Sequence, residues 1–339
     1  MTTTAASFTA ARTARRRREV LGLVWRRLAV LFPLLAVISM GVFLLADASP
    51  FDPLVGYLGD RYQFTSDAQR GTLTETLQLD QSWWVAWTTW LGGLVQGDLG
   101  HSRAYAMPVV DLIAQRLPWT LLLSTAGLVI ALVLGIAGGA MAALRPGSVI
   151  DRLVNGLAVV LQAVPPFVVA MLAILVGALA LGWFPAGGAS PITGPRTVGA
   201  VAHHLALPAL VLGLSQTPWL LLAVRTEVTA ALSSDAVRAA VSRGIGWPRV
   251  VTGHVLPQAW APLATLAGVR LPELIVGAVL VEEVFAWPGL AAALVTSARV
   301  LDLPLLAFLT LASTALVLLG SLLADVAYLR LDPRVRADD

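Results

Sequence analysis

Residues 205–224 read LALPALVLGLSQTPWLLLAV and are followed at once by residues 225–244, RTEVTAALSSDAVRAAVSRG. The first half is an uncharged run long enough, as a helix, to cross the roughly 30 Å of hydrocarbon in a bilayer. The second half is polar and carries its own punctuation. Ser233 or Ser234 suits an N-cap, Asp235 the positive end of a helix dipole, Arg243 the negative end, and Gly244 the left-handed position that closes a helix. A short helix from Ser233 to Gly244, held between two membrane spans, is therefore expected. Ala239 and Ala240 keep its middle small enough for another protein to approach the backbone. Arg238 and Arg243 offer forked donors to acidic partners.

Working outward, the same alternation repeats. The chain has 339 residues, 57% of them hydrophobic and 13% charged, against a charged share of about 25% in soluble domains. Apolar runs of spanning length lie near 27–46, 119–144, 154–181, 205–224, 263–285 and 303–329. The expected fold class is all-α, a polytopic membrane protein with six transmembrane helices. Arginine is retained on the cytoplasmic side of short flanking segments. Arg12, Arg15, Arg16, Arg17, Arg18, Arg26 and Arg27 precede the first run, with Glu19 as the single acid there. Six spans then place both termini in the cytoplasm. The expected organisation is an Arg-rich arm (1–26), disordered up to the membrane surface and touching anionic lipid; a first span (27–46); and an extracytoplasmic region (47–118). A five-helix unit (119–329) containing a cytoplasmic loop (225–262) and a cytoplasmic tail (330–339) complete it. Ala46-Asp47-Ala48 imitates a signal-peptide cleavage site, but the apolar run before it exceeds the 7–15 residues of a signal core.

Missing residue types exclude much chemistry. There is no cysteine, which removes disulfides, thiolate metal sites, iron–sulfur clusters and thiol nucleophiles. No lysine occurs either, and a P-loop needs one on its phosphates. If ATP drives this chain, another subunit supplies the engine. His101, His203, His204 and His254 form no metal-ligand spacing, and no catalytic constellation is visible. The net charge of +3 reflects membrane topology and lipid contact rather than nucleic acid.

Several local patterns carry further expectations. Trp83, Trp87, Trp90, Leu91 and Leu94 share one helical face and suit a helix lying on the outer leaflet, or a platform for an external partner. Met107 to Arg116 reads as a separate short helix. Gly135, Gly138 and Gly139 allow close helix packing, and Pro165-Pro166 interrupts the third span. Arg270 and Glu273, three residues apart beside Pro272, are charges at membrane depth that pair structurally or line a polar path. Glu282 and Glu283 are expected to close the fifth span at the outer surface, where water solvates them.

Taken together these residues resemble the permease subunits of dipeptide/oligopeptide-type, binding-protein-dependent ABC importers. The match runs through Leu79-Asp80-Gln81, Trp90-Leu91, Gly97-Asp98-Leu99-Gly100, Leu207-Pro208-Ala209, Leu212-Gly213-Leu214, Val284-Phe285, Trp287-Pro288-Gly289-Leu290 and Asp332-Pro333-Arg334. The resemblance implies a type I ABC importer permease fold in a bacterial plasma membrane. Asp235, Arg238, Ala239, Ala240, Arg243, Gly244 and His254 would then belong to a coupling loop that docks on an ATPase. Arg270, Glu273 and Glu282 would be candidates for the translocation path. Implied partners are a second homologous permease, two ATP-binding subunits that hydrolyse ATP with Mg, and an extracytoplasmic solute-binding protein. This chain would bind no cofactor. Di- or oligopeptides are the expected solutes, nickel complexes or glutathione the alternatives. An ion-coupled secondary transporter using Arg270 and Glu273 is the rival of a different class.

Overall fold

Helix-favouring alanine and arginine dominate the N-terminal arm, which contains no proline. In the computed structural model, which describes residues 2–50, 52–76, 79–191, 193–259 and 277–331, helix α1 accordingly runs unbroken from Thr2 to Asp47. The expected disordered arm is instead the first part of the first span's helix. Three short segments follow: α2 (Pro53–Leu58), a 3₁₀ turn (Gly59–Phe64) and α3 (Asp67–Thr76). Helix α4 (Trp83–Val95) then carries the tryptophan stripe. Its apolar face is not left to the lipid surface. Trp87 Nε1 donates to Ser39 Oγ of α1 (3.0 Å), and Trp90 packs on Phe43 with ring centroids 5.6 Å apart.

A two-residue hairpin, β1 (His101–Ser102) with β2 (Met107–Pro108), pairs antiparallel with His101 opposite Pro108. It leads into α5 (Val109–Leu144), which absorbs the separate helix expected at 107–116 and carries Pro118 within it. The third span is broken. Helix α6 (Val149–Ala163) and helix α7 (Pro166–Ala173), extended by wider π turns (Ile174–Ala180), meet at 101°. Pro165 and Pro166 lack N–H groups, and their rings clash with the preceding turn, so the helix cannot continue through them.

Helix α8 (Val198–Leu232) extends the expected fourth span at both ends. The core of the molecule is the pair α5 and α8, and glycine lets them touch. A Cβ at Gly127 would meet Leu212 at 2.8 Å, one at Gly135 Leu220 at 2.7 Å, and one at Gly139 the Leu221 carbonyl at 2.5 Å. Beyond α8 come α9 (Asp235–Ser242) and α10 (Trp247–Val250), the latter continuing as π turns (Val251–Val255). Of the expected fifth span, residues 277–284 form helix α11; its first part, including Arg270 and Glu273, lies outside the described residues. Helices α12 (Leu290–Arg299) and α13 (Leu303–Leu331) complete the chain. Arg27 of α1 pairs with Asp325 of α13, so the first and last long helices lie together. Among the described residues four helices are long and apolar enough to cross a membrane, and the bent pair makes a fifth.

Candidate coupling site

At the end of the bundle where α8 stops, the chain turns within two residues. Ser233 and Ser234 donate their backbone N–H groups back to α8, to Ala230 O (3.2 Å) and Ala231 O (3.1 Å). Ser234 at the same time caps α9, its side chain accepting from Val237 N at 3.4 Å. The far end of α9 is closed as the sequence suggested. Gly244 has φ of 72°, its N–H donates to Val241 O (2.9 Å), and Ile245 N–H donates to Ala240 O (3.2 Å). These two crossed bonds are a Schellman closure, which satisfies the last carbonyls of a helix through a left-handed residue. Arg243 Nε adds a bond to Ala239 O (3.1 Å).

The helix has two unlike faces. Val237 and Ala240 are buried in a cluster with Ala143, Val224, Val228, Val250 and Val255. Ala240 thus packs inward against its own chain and does not share a surface with Ala239. Asp235, Arg238, Ala239, Arg243 and Gly244 are exposed on the other side. Arg238 bonds Asp235 at 2.5 Å, an exposed pair of the kind that adds little stability and leaves both charges available. His254 lies in the π turns behind α9, with Nδ1 buried and without a hydrogen-bond partner among the described residues.

Next to α9, the end of α8 is anchored by a set of groups that sequence reading did not connect. Asp151, at the start of α6, is buried and accepts four hydrogen bonds. Arg225 Nε (2.7 Å) and Asn155 Nδ2 (2.6 Å) reach Oδ1, while Arg225 Nη2 (3.1 Å) and Gly147 N (2.9 Å) reach Oδ2. Two parallel Arg–carboxylate bonds fix orientation as well as distance. The α5–α6 turn is thereby tied to α8 just before it hands over to α9. Ser148 caps α6 by accepting from Asp151 N (3.2 Å), a local signal the sequence carries; the partner of Asp151 on another span leaves no such signal.

The opposite end of the bundle is fastened around Glu282, which is not solvated as the sequence suggests. Its side chain is fully buried. The carboxylate accepts from Thr120 Oγ1 (2.7 Å), Ala291 N (2.8 Å) and Ala292 N (3.3 Å), joining α5 and α11 to the N-terminus of α12. Trp287 Nε1 donates to Trp119 O (3.0 Å), and Gly188 N to Phe285 O (2.8 Å). Glu282 is thus an internal fastening, not a solvated rim. Glu283 does face outward, bonded to Arg299 at 3.0 Å. His203 and His204 pin the α7–α8 loop, through Trp183 O (2.7 Å) and Gly187 O (3.1 Å).

Residues 135–337 match the family model described as the binding-protein-dependent transport system inner membrane component. The oligopeptide transport system permease protein AppB of Bacillus subtilis is 35% identical over 311 residues, 91% of this chain and 98% of that protein. The glutathione transport system permease protein GsiC of Escherichia coli O6:H1 is 34% identical over 319 residues, covering 94% and 99%. Among solved structures, the MetNI methionine ABC transporter in inward facing conformations aligns with a TM-score of 0.51 at 18% identity. That alignment covers 66% of this chain and 97% of the other. An amino acid ABC transporter with histidines gives 0.50 at 15%, over 65% and 94%.

Proposed function

The chain belongs to the family of inner membrane components of binding-protein-dependent transport systems, and we propose on that premise that it forms half of the path of an ATP-driven importer for peptides. Support for peptides comes from the named function of the Bacillus subtilis relative. The Escherichia coli relative supports glutathione, itself a small peptide, as the alternative solute. A nickel complex remains the third candidate solute. The proposed assembly pairs this chain with a second permease, two ATP-binding subunits and an extracytoplasmic solute-binding protein. ATP and Mg are handled by the partner subunits. Both termini and α9 face the cytoplasm, and residues 47–118 face outward.

The observation that carries the reading is the division of α9 into an inward apolar face and an outward face presenting Asp235, Arg238, Ala239 and Arg243. A helix mounted in this way moves as a rigid lever. ATP-driven closure of the ATPase subunits pulls on it, and the Asp151–Arg225 tie passes the displacement to α5, α6 and α8 together. Arg270 and Glu273 belong to the path in this scheme; replacing both by Leu is expected to alter uptake or solute range, and a change in protein yield alone would mark them as a structural pair.

Gly244→Val tests the lever. Valine in the left-handed region costs roughly 1–2 kcal/mol, enough to unseat the end of a short helix. In proteoliposomes holding the whole complex, the variant is expected to keep ATP hydrolysis but lose solute uptake. Wild-type uptake would count decisively against docking through α9.

A further inference from the structure

Pro165, Pro166 and Pro218 have no N–H to donate, which removes the i+4 helical partner from the carbonyls of Leu161, Gln162 and Leu214. All three of those residues, on two different spans, line one cavity of about 180 Å³. It lies where α6 breaks from α7, against the middle of α8, so its depth is near the centre of the span. Ser215 and Gln216 form the α8 wall. Gln216 Nε2 donates to Ser215 Oγ (3.3 Å), which donates to Leu212 O (2.7 Å). Gln216 also faces α11, where a Cβ at Gly277 would stand 3.2 Å from its Nε2. On the α6 wall Gln162 is exposed and makes no hydrogen bond to a described residue.

Irregular backbone and uncompensated amides are tolerated at membrane depth only where they are buried in protein or line a polar path. Solute sites in transporters are commonly built at the midplane by broken helices. The chemistry of this cavity is specific in kind. Its lining includes the three residues whose carbonyls the prolines leave without a helical donor and two carboxamides that both donate and accept, with no charged side chain. Those groups complement a neutral amide, and with no charge of their own they give a carboxylate no counter-ion.

We propose that this cavity is a solute contact of the translocation path, in which Gln162, Gln216 and the proline-freed carbonyls exchange hydrogen bonds with the backbone amides of a passing peptide. Neutral groups of this sort bind the part common to all peptides and let any side chain through. The inference rests on the reading of the chain as a peptide permease and assigns a site to it.

The test uses the full importer in proteoliposomes, with ATP inside the ATPase compartment and labelled tri-alanine or its N-methylated amide analogue as solute. Gln162→Leu and Gln216→Leu are each expected to reduce tri-alanine uptake per assembled complex roughly three- to tenfold, the scale of one lost hydrogen bond. Uptake of the N-methylated analogue should fall less, while ATP hydrolysis stimulated by the binding protein is retained. Pro165→Ala with Pro166→Ala, which restores two helical donors, should lower uptake of both. If the wild-type complex transports tri-alanine and both glutamine variants match it, the cavity is not a solute contact, although the peptide reading stands. Equal losses for both solutes would also overturn the inference. A wild-type complex that carries no tri-alanine defeats the peptide reading itself.

Discussion

Gly289 stands so close to Glu282 that a Cβ there would lie 2.2 Å from both carboxylate oxygens. Forcing a methyl group into a filled site costs about 1–3 kcal/mol, and here it would also displace the acceptor of the Thr120, Ala291 and Ala292 bonds. Gly289→Ala is therefore expected to lower the thermal unfolding temperature of the detergent-purified chain, and Glu282→Leu to lower it further by leaving buried donors unmatched. Unchanged unfolding in both variants would remove Glu282 from its role as a fastening. This residue also shows where sequence reading stops. The caps of α9 were legible because Ser234, Asp235 and Gly244 act on backbone within a few residues. Glu282 was not, since its first partner, Thr120, is 162 positions away, and two adjacent glutamates at the end of an apolar run look alike until packing separates them. Arg225 and Asp151, 74 positions apart, were hidden for the same reason.

Elements were easier to read than their ends or their company. Hydropathy located α1, α5, α8 and α13, because an apolar run of spanning length has few other uses. It could not mark where α5 and α8 begin and end, since a helix continues past the membrane wherever its polar residues favour helix and no proline or glycine stops it. It found the proline pair but not the 101° bend, and it gave the tryptophans of α4 to lipid or an external partner when α1 and α13 take them. Glycine was read correctly as a packing device, and the structure adds which face each one serves. At Gly139 a Cβ would come 2.5 Å from the Leu221 carbonyl and 2.7 Å from Val224 Cβ, whereas at Gly156 on α6 nothing lies within 4 Å. Gly139→Val should separate α5 from α8 and destabilise the chain by roughly 1–3 kcal/mol or more. Gly156→Ala should be neutral or stabilising by up to about 1 kcal/mol, the helix-propensity difference. Thermal unfolding of the two variants side by side checks the pairing, and equal effects would argue against a glycine-mediated core.

For the whole molecule, orientation is the property on which the mechanism turns, and the chain is unusually well suited to a direct measurement because it has no cysteine of its own. Arginines gather at the end that carries α9, with Arg145 at the end of α5, Arg152 in the first turn of α6, and Arg238, Arg243 and Arg249 beyond α8. The other end carries α3 and α4 and the acids Asp67, Glu75, Asp80 and Asp98. On the proposed topology, retention of positive charge in the cytoplasm is expected to put α9 inside and α3 outside. Ala68 on α3 and Ala239 on α9 are both exposed, and cysteine in place of alanine at either position changes size little. In right-side-out membranes Ala68→Cys is expected to react with a membrane-impermeant maleimide at once, and Ala239→Cys only after permeabilisation. The reverse pattern would turn the chain over and detach α9 from any ATPase. In the assembled complex, protection of Ala239→Cys by the ATPase subunits, with Ala68→Cys unaffected, would join the topology to the coupling surface in one experiment; free labelling of Ala239→Cys there would place the docking contact elsewhere on the chain.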